Sequence, residues 1–170
     1  MRWIWIDKFE KFETGVQAVA IKNVSLAEEY LHDHVPGFPV MPASLLIEGM
    51  AQTAGILVGA ARNFQEKVIL AKISSANFTR LVRPGEQIVY TARIANVNET
   101  GASIEGVVTV RTLAKGGGRM DEVPVGTIEM MFSHIDQNMA GLKFPDFNFV
   151  FNSQFMELFE TYRREFEIKI

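Results

Sequence analysis

The longest apolar stretch of the sequence runs from Ser44 to Ala61, and it constrains the fold more than any other segment. A transmembrane helix needs about 20 mostly apolar residues, whereas Glu48, Gln52 and Thr53 interrupt this stretch. The stretch therefore predicts a helix that is buried on nearly all sides inside a folded domain.

Small residues recur along this predicted helix. A glycine inside a helix costs about 1 kcal/mol relative to alanine, so such a run is typical of a helix that neighbouring backbone approaches closely. Pro39 and Pro42 mark the start of the helix, and residues 62–66 end it. Ser44 is the residue expected to cap its N-terminus. The small residues are Gly49, Ala51, Ala54, Gly55, Gly59, Ala60 and Ala61.

The remainder of the main body has the composition of β-strands. Apolar and polar residues alternate with period two in several of these segments, which indicates an antiparallel sheet with one face covered. The long helix is the natural cover, so the sequence predicts an α+β fold in which an antiparallel sheet wraps around one central helix. The predicted strands cover residues 17–24, 68–73, 88–94, 103–111 and 127–133.

The C-terminal segment differs in composition from the main body. Seven of the 13 phenylalanines lie between Phe144 and Phe166. We predict one domain over residues 1–138 and an aromatic-rich extension over 139–170 with one helix after Ser153. An exposed apolar stripe on that helix would be unusual, so we expect it to pack on the sheet or on a neighbouring subunit. A lid over a binding tunnel is the alternative. The stripe consists of Phe155, Leu158, Phe159, Tyr162 and Phe166.

Composition and charge exclude several functional classes. The 170 residues contain no cysteine, which excludes disulfides, thiolate metal sites and cysteine nucleophiles. The net charge of −3 gives no indication of a nucleic-acid-binding protein, which usually carries a basic patch. The apolar run at the N-terminus is too short for a signal peptide. We therefore predict a cytoplasmic protein without nucleic-acid or membrane partners.

Candidate catalytic groups lie close together in and after the proline-rich loop that precedes the helix. Three prolines stiffen this loop, so it can hold His34 in a fixed position. Glu48 lies in the first turns of the apolar helix, where a carboxyl group retains its proton more readily and can act as an acid. The N–H groups near Ala43 and Ser44 are unpaired within the helix and can polarise a carbonyl group.

These residues belong to a longer pattern, which resembles that of the 3-hydroxyacyl-(acyl carrier protein) dehydratases of type II fatty-acid synthesis. The motif of that hotdog-fold family is His-Phe-Pro-Gly-x-Pro-x-Met-Pro-Gly, followed by a helix with Glu and Ala-Gln. Residues 76–86 resemble a second family segment, and the similarity covers roughly residues 2–135. The motif positions that match without a gap are His34, Pro36, Gly37, Pro39, Met41, Pro42, Glu48, Ala51 and Gln52.

The resemblance implies a specific reaction. A hotdog homodimer, or a trimer of such dimers, would convert a (3R)-hydroxyacyl thioester of acyl carrier protein or coenzyme A to the trans-2-enoyl thioester. His34 of one subunit would remove the α-proton, and Glu48 of the other would protonate the leaving hydroxyl. The N–H group of Ala43 would bind the thioester carbonyl, and Gly37 and Gln52 complete the expected substrate-binding set. No metal or cofactor is required.

The sequence departs from the family pattern at several positions. Asp33 and Val35 flank the histidine where glycine and phenylalanine are usual, and Ala43 replaces a glycine. Asn77 and Thr79 replace basic residues expected at the carrier-docking surface. Two other functions therefore stay open, namely a hotdog acyl thioesterase and a non-catalytic acyl-binding or regulatory protein.

Other residues have simpler interpretations. His32 matches no motif position and is predicted to be a solvated loop residue. His134 ends a strand and is predicted to lie at the surface. Gln52 either orients Glu48 or forms hydrogen bonds within the core. The glycine run at 116–118 is predicted to be a hairpin loop.

Overall fold

The structure, a computed structural model, describes residues 4–114, 118, 120–135, 141 and 144–165. The helices are α1 (Tyr30–Asp33), α2 (Ala43–Ala60) and α3 (Ser153–Glu165). The strands are β1 (Lys8–Glu13), β2 (Gln17–Asn23), β3 (Val68–Phe78), β4 (Gln87–Val97), β5 (Gly101–Leu113) and β6 (Met120–His134).

The six strands form one antiparallel sheet in the order β1-β2-β4-β5-β6-β3. The sheet wraps around α2, which packs against strands β2 to β6. This is the α+β arrangement that the sequence pattern predicts, with the long apolar helix as its core, and it agrees with the hotdog fold that the family resemblance implies. Strands β1 and β3 are the two edges of the sheet. The carboxylate of the site described below lies on α2.

Two strands differ from the prediction. Strand β1 was not predicted because its phenylalanines, Phe9 and Phe12, are three residues apart and break the period of two. A bulge between Phe9 and Lys11 brings both rings to the buried side. Strand β3 is longer than the predicted 68–73 and runs to Phe78. Its second half is mostly exposed, as expected for an edge strand rather than a central one.

Helix α2 is a core helix, as predicted. It is long and apolar enough to cross a membrane by those criteria alone, but 56% of it is buried inside the chain. Its N-cap residue is Pro42, and no side chain among the described residues caps it, so the expected capping role of Ser44 is wrong. Ala43 is helical and therefore unstrained where the family has glycine. The only non-glycine residues with positive φ in the described part of the chain are Asn63 and Phe64.

Aromatic rings, rather than neighbouring backbone, explain the glycines of α2. A Cβ atom at Gly49 would overlap the ring of Tyr90, and one at Gly59 would overlap the ring of Phe151. At Gly55 the nearest atom, on the Phe132 ring, would be 3.3 Å away. The predicted close approach of neighbouring backbone is therefore wrong at these three glycines, where aromatic side chains approach instead.

We expect Gly49→Ala to lower the free energy of unfolding by about 1–3 kcal/mol, because the fully buried Tyr90 ring has no room to move. Gly55→Ala is the matched control. Its added methyl group needs a shift of only a few tenths of an ångström, and the gain in helix propensity offsets that cost. Urea unfolding measures both variants. Equal stability of the two would contradict the packing at Gly49.

The C-terminal extension packs on its own sheet, through α3. The Phe159 ring lies 6.4 Å from that of Phe9, 5.9 Å from that of Phe12 and 5.1 Å from that of Phe64, measured between ring centroids. The side chains of Tyr162 and Phe166, which complete the predicted stripe, lie outside the described residues. Residues 136–140 and 115–117 also lie outside them, so the domain division after 138 and the predicted glycine loop stay predictions.

The predicted surface position of His134 is wrong, because its side chain is completely buried. Its Nδ1 atom contacts the carboxylate of Glu66. Strand β6 continues to this residue, where it pairs with Val68 of β3. Its backbone N–H group donates to the Thr100 carbonyl at 3.0 Å, which holds the strand end against the neighbouring turn. The residue is therefore covered by elements that sequence alone does not place beside it.

Candidate functional site

His34 lies immediately after the short helix α1. Its backbone N–H group donates to the Tyr30 carbonyl at 3.3 Å, and its side chain is exposed. Gly37 has a φ of 74°, a left-handed conformation that favours glycine, and Phe38 N–H donates to the Val35 carbonyl at 2.9 Å across this turn. His32 is also exposed, as predicted, although it belongs to α1 rather than to a loop.

The segment after His34 is fastened to residues that follow β3. Met41 N–H donates to the Val82 carbonyl at 2.9 Å, and the guanidinium group of Arg83 lies 4.8 Å from the centroid of the Phe38 ring. Arg83 belongs to the second segment that resembles the family, residues 76–86. Residues 76–86 therefore contact the histidine loop and hold it in position; we call this segment the brace.

A partly buried ion pair between Arg80 and Glu86 holds this segment together. Glu86 is 9% exposed, and it accepts hydrogen bonds from the Arg80 guanidinium at 2.5 Å and from Arg83 N–H at 2.8 Å. Sequence analysis missed the structural role of Arg80 and Glu86. The Pro-Gly-Glu turn at 84–86 signals a turn but does not show which cation its carboxylate meets.

Glu48 lies in the second turn of α2 and is oriented by a chain of hydrogen bonds. Its Oε1 atom accepts from Gln52 Nε2 at 2.8 Å, and Gln52 Oε1 accepts from Trp5 N–H at 2.8 Å. The Trp5 contact fixes which end of the Gln52 amide faces Glu48. Gln52 therefore orients Glu48, which was one of the two sequence-based interpretations. The Glu48 side chain is exposed in the single chain, so the apolar helix alone does not bury it.

An apolar cavity of about 250 Å³ begins beside these two side chains. Glu48 and Gln52 line it together with residues of α2, β1, β3, β6 and the C-terminal extension. Among the described residues, neither His34, Gly37 nor Ala43 lines this cavity. A single chain thus places Glu48 and Gln52 at an apolar pocket and carries His34 on a separate braced loop.

Two tyrosines near the site, the fully buried Tyr90 and the half-buried Tyr30, are unsuited to proton transfer at neutral pH. Burial raises the pKa of the Tyr90 hydroxyl, and burial together with the Glu28 carboxylate raises that of Tyr30. The Tyr90 hydroxyl has no hydrogen-bond partner within the described part of the chain. The exposed imidazole of His34 and the oriented carboxylate of Glu48 are the acid–base candidates that the family motif contains.

The donor set of the described residues does not suggest a metal centre. Within residues 4–114, 118, 120–135, 141 and 144–165, no three histidine or acidic side chains come together as metal ligands would. What the arrangement offers is an imidazole, a carboxylate, helix N-terminal N–H groups and an apolar pocket. Those groups suit proton transfer on a molecule with an apolar chain.

Comparison with known families decides the relationship. The family model described as a FabA-like domain matches residues 3–119. The chain belongs to the FabA-like family. The FabA-like match contains the histidine loop, α2 and the brace at 76–86, whereas α3 lies outside it.

Curated relatives of this FabA-like chain bear dehydratase names. It is 34% identical over 131 residues to the 3-hydroxyacyl-(acyl carrier protein) dehydratase FabZ of Caldanaerobacter subterraneus subsp. tengcongensis, covering 76% of this chain and 86% of that protein. It is 40% identical over 96 residues to the FabZ of Thiobacillus denitrificans, covering 54% of this chain and 66% of that protein. The predicted family is thereby confirmed.

Solved structures confirm the hotdog fold. The dehydratase heterocomplex ApeI:P of Xenorhabdus doucetiae matches with a TM-score of 0.58 at 16% identity, covering 81% of this chain and 90% of that one. An acyl-CoA hydrolase of Agrobacterium tumefaciens matches with a TM-score of 0.54 at 19% identity, covering 71% and 44%. Because these neighbours include both a dehydratase and a hydrolase, the fold alone does not select the reaction.

Proposed function

We propose that this FabA-like protein dehydrates (3R)-hydroxyacyl thioesters to trans-2-enoyl thioesters in fatty-acid biosynthesis. The main support is that residues from His34 through Glu48 to Gln52 match the family motif without a gap, in a chain whose curated relatives are named 3-hydroxyacyl-(acyl carrier protein) dehydratases. The Gln52-oriented carboxylate at an apolar cavity supports it. Acyl carrier protein is the proposed carrier, with coenzyme A as the alternative, and the proposed compartment is the cytoplasm.

The proposed mechanism divides two proton transfers between two side chains. His34 takes the α-proton of the thioester, and Glu48 gives a proton to the departing hydroxyl group, which leaves as water. Gln52 holds one carboxyl oxygen of Glu48, so the other faces the substrate. The N–H group of Ala43, at the first position of α2, stabilises the negative charge that develops on the thioester oxygen. Neither transfer requires a cofactor.

We further propose that the active unit is a homodimer, alone or within a trimer of dimers. His34 does not line the cavity that Glu48 lines in one chain, and a second copy would bring its own His34 to Glu48. Strand β3 supports this proposal. Its outer edge pairs with no strand in the described part of the chain, and Leu70 and Ile73 on it are 38% and 42% exposed. A second β3 would satisfy that edge.

A single assay separates this function from its two alternatives. Purified protein is incubated with a (3R)-3-hydroxyacyl pantetheine thioester while enoyl-thioester absorbance and free thiol are followed together. We expect absorbance to rise without thiol release, because dehydration keeps the thioester intact. Release of thiol without enoyl product would identify a thioesterase. Binding of the thioester without either signal would identify an acyl-binding protein, and both results would contradict the dehydratase.

A further inference from the structure

The apolar cavity follows one face of α2, starting at Glu48. The helical residues that line it lie three, four, seven and eight positions after Glu48, which places them all on one side of the helix. These residues are Ala51, Gln52, Gly55 and Ile56. The cavity therefore runs along the helix, away from the carboxylate that the proposed function uses.

The length of this face sets a scale for the occupant. Glu48 and Ile56 are eight residues apart, which corresponds to about 12 Å along the helix axis. Carbon–carbon bonds of about 1.5 Å advance an extended chain by about 1.25 Å each, so the face matches roughly ten carbons. An acyl chain that entered beside Glu48 would have this length available before it met the next wall.

That wall belongs to the C-terminal extension. Phe151, Phe155, Leu158 and Phe159 all line the cavity, and none of them lies within residues 3–119 that match the family. Phe151 closes over the helix face at Gly59, one turn beyond the last lining residue, because the glycine leaves room for the ring.

The wall is rigidly supported. Phe64 has a φ of 56°, which is uncommon for a bulky residue. This conformation places its ring among the tail aromatics, with centroids 5.0 Å from Phe151, 6.0 Å from Phe155 and 5.1 Å from Phe159. Asn148 Nδ2 donates to the Phe64 carbonyl at 3.1 Å, which ties the extension to the same turn. The extension thus packs on the sheet and lines the cavity with the same helix.

We infer that the C-terminal extension determines the chain-length specificity of this protein. Its helix α3 ends the acyl pocket, so the pocket accepts medium-length acyl chains of roughly ten carbons. The inference rests on the proposed function, because it assigns the cavity to an acyl group. Leu158 is the residue best placed to test it, since it lines the cavity while being only half-buried. Met156 is also half-buried on α3 but does not line the cavity.

The test measures binding rather than turnover. Saturated acyl pantetheine amides, from butanoyl to palmitoyl, are titrated calorimetrically into the full chain and its variants. We expect the wild-type affinity to peak at medium chains. Leu158→Trp should shift the affinity peak to shorter chains. It should also lower the affinity for the longest acyl chain that the wild type binds well by at least about tenfold, whereas Leu158→Ala should shift the peak to longer chains. Met156→Ala should leave the profile unchanged.

Specific results would overturn the inference. These are a wild-type affinity that keeps rising to palmitoyl, or Leu158 variants whose profiles coincide with that of Met156→Ala. The amides cannot be dehydrated or hydrolysed as thioesters, so these results do not depend on the reaction. If the protein shows the expected affinity profile but forms no enoyl product, the dehydratase function is contradicted, whereas the role of the extension in chain-length specificity is still supported.

Discussion

His34→Ala and Glu48→Gln are each expected to lower the turnover of (3R)-hydroxyacyl thioester dehydration by about 10²–10⁴-fold, the usual contribution of a positioned acid or base. Both side chains are exposed in the single chain and neither is part of its core, so the variants should fold normally. The initial rate of enoyl-thioester formation measures the loss, and circular dichroism confirms that the fold is retained.

His32→Ala is the matched control for this experiment. His32 is an exposed histidine two residues before His34, so its replacement should change turnover little. If His32→Ala abolishes activity while His34→Ala is tolerated, the alignment of this loop with the family motif is wrong.

Mixing the two inactive variants tests the shared site. A heterodimer of a His34→Ala chain and a Glu48→Gln chain contains one site with both intact groups. After subunit exchange at equal amounts, roughly a quarter of wild-type activity should return, because half of the dimers are mixed and each has one good site. An absence of recovery, with exchange verified by mass spectrometry of tagged chains, would place both groups in one subunit.

Phe159→Ala is expected to lower the free energy of unfolding by about 3–5 kcal/mol, the range for deleting a buried phenylalanine. Phe159 is 2% exposed and joins α3 to Phe9 and Phe12 of β1. Its loss would leave a cavity between the extension and the sheet that rigid neighbours cannot fill. Denaturant unfolding gives the free energy, and thermal unfolding should show a fall of about 2–4 °C for each kcal/mol.

Phe147→Ala is the matched control for Phe159→Ala. Phe147 is a phenylalanine of the same extension, but it is 68% exposed, so its removal should change stability by no more than about 0.5 kcal/mol. Similar losses for both variants would mean that the extension does not dock on the sheet through α3.

Local periodicity was sufficient to predict the core elements of the fold. The apolar run at 44–61 became α2, and the alternating segments at 103–111 and 127–133 fall within β5 and β6. What sequence did not predict depends on contacts between distant segments. The bulge in β1 and the burial of His134 beside Glu66 both arise from strand pairing across the sheet.

The candidate site shows the same division. Residues His34 and Glu48 were identifiable because a long ungapped motif contains them, although their catalytic roles stay predictions. The orientation of Glu48 through Gln52 was weighed from their spacing of one helical turn. The contact of Gln52 with Trp5 was not predictable, because 47 residues separate them. A lid over a binding tunnel was the alternative weighed for the extension, but the residues through which it lines the cavity beside α2 were not predictable, because they depend on how the folded chain packs.

The unpaired edge of β3 also affects how the chain matures. The strand spans 11 residues, and its backbone groups that face away from β6 form one row of donors and acceptors that no strand among the described residues pairs. Exposed apolar side chains lie along the same strand. Such an edge is a template for uncontrolled growth into aggregates as well as for orderly pairing. Under the proposed homodimer, newly made chains are in a kinetic competition between aggregation and pairing with a second copy, and rapid pairing protects the edge. Slow synthesis or dilution lengthens the time for which it is vulnerable.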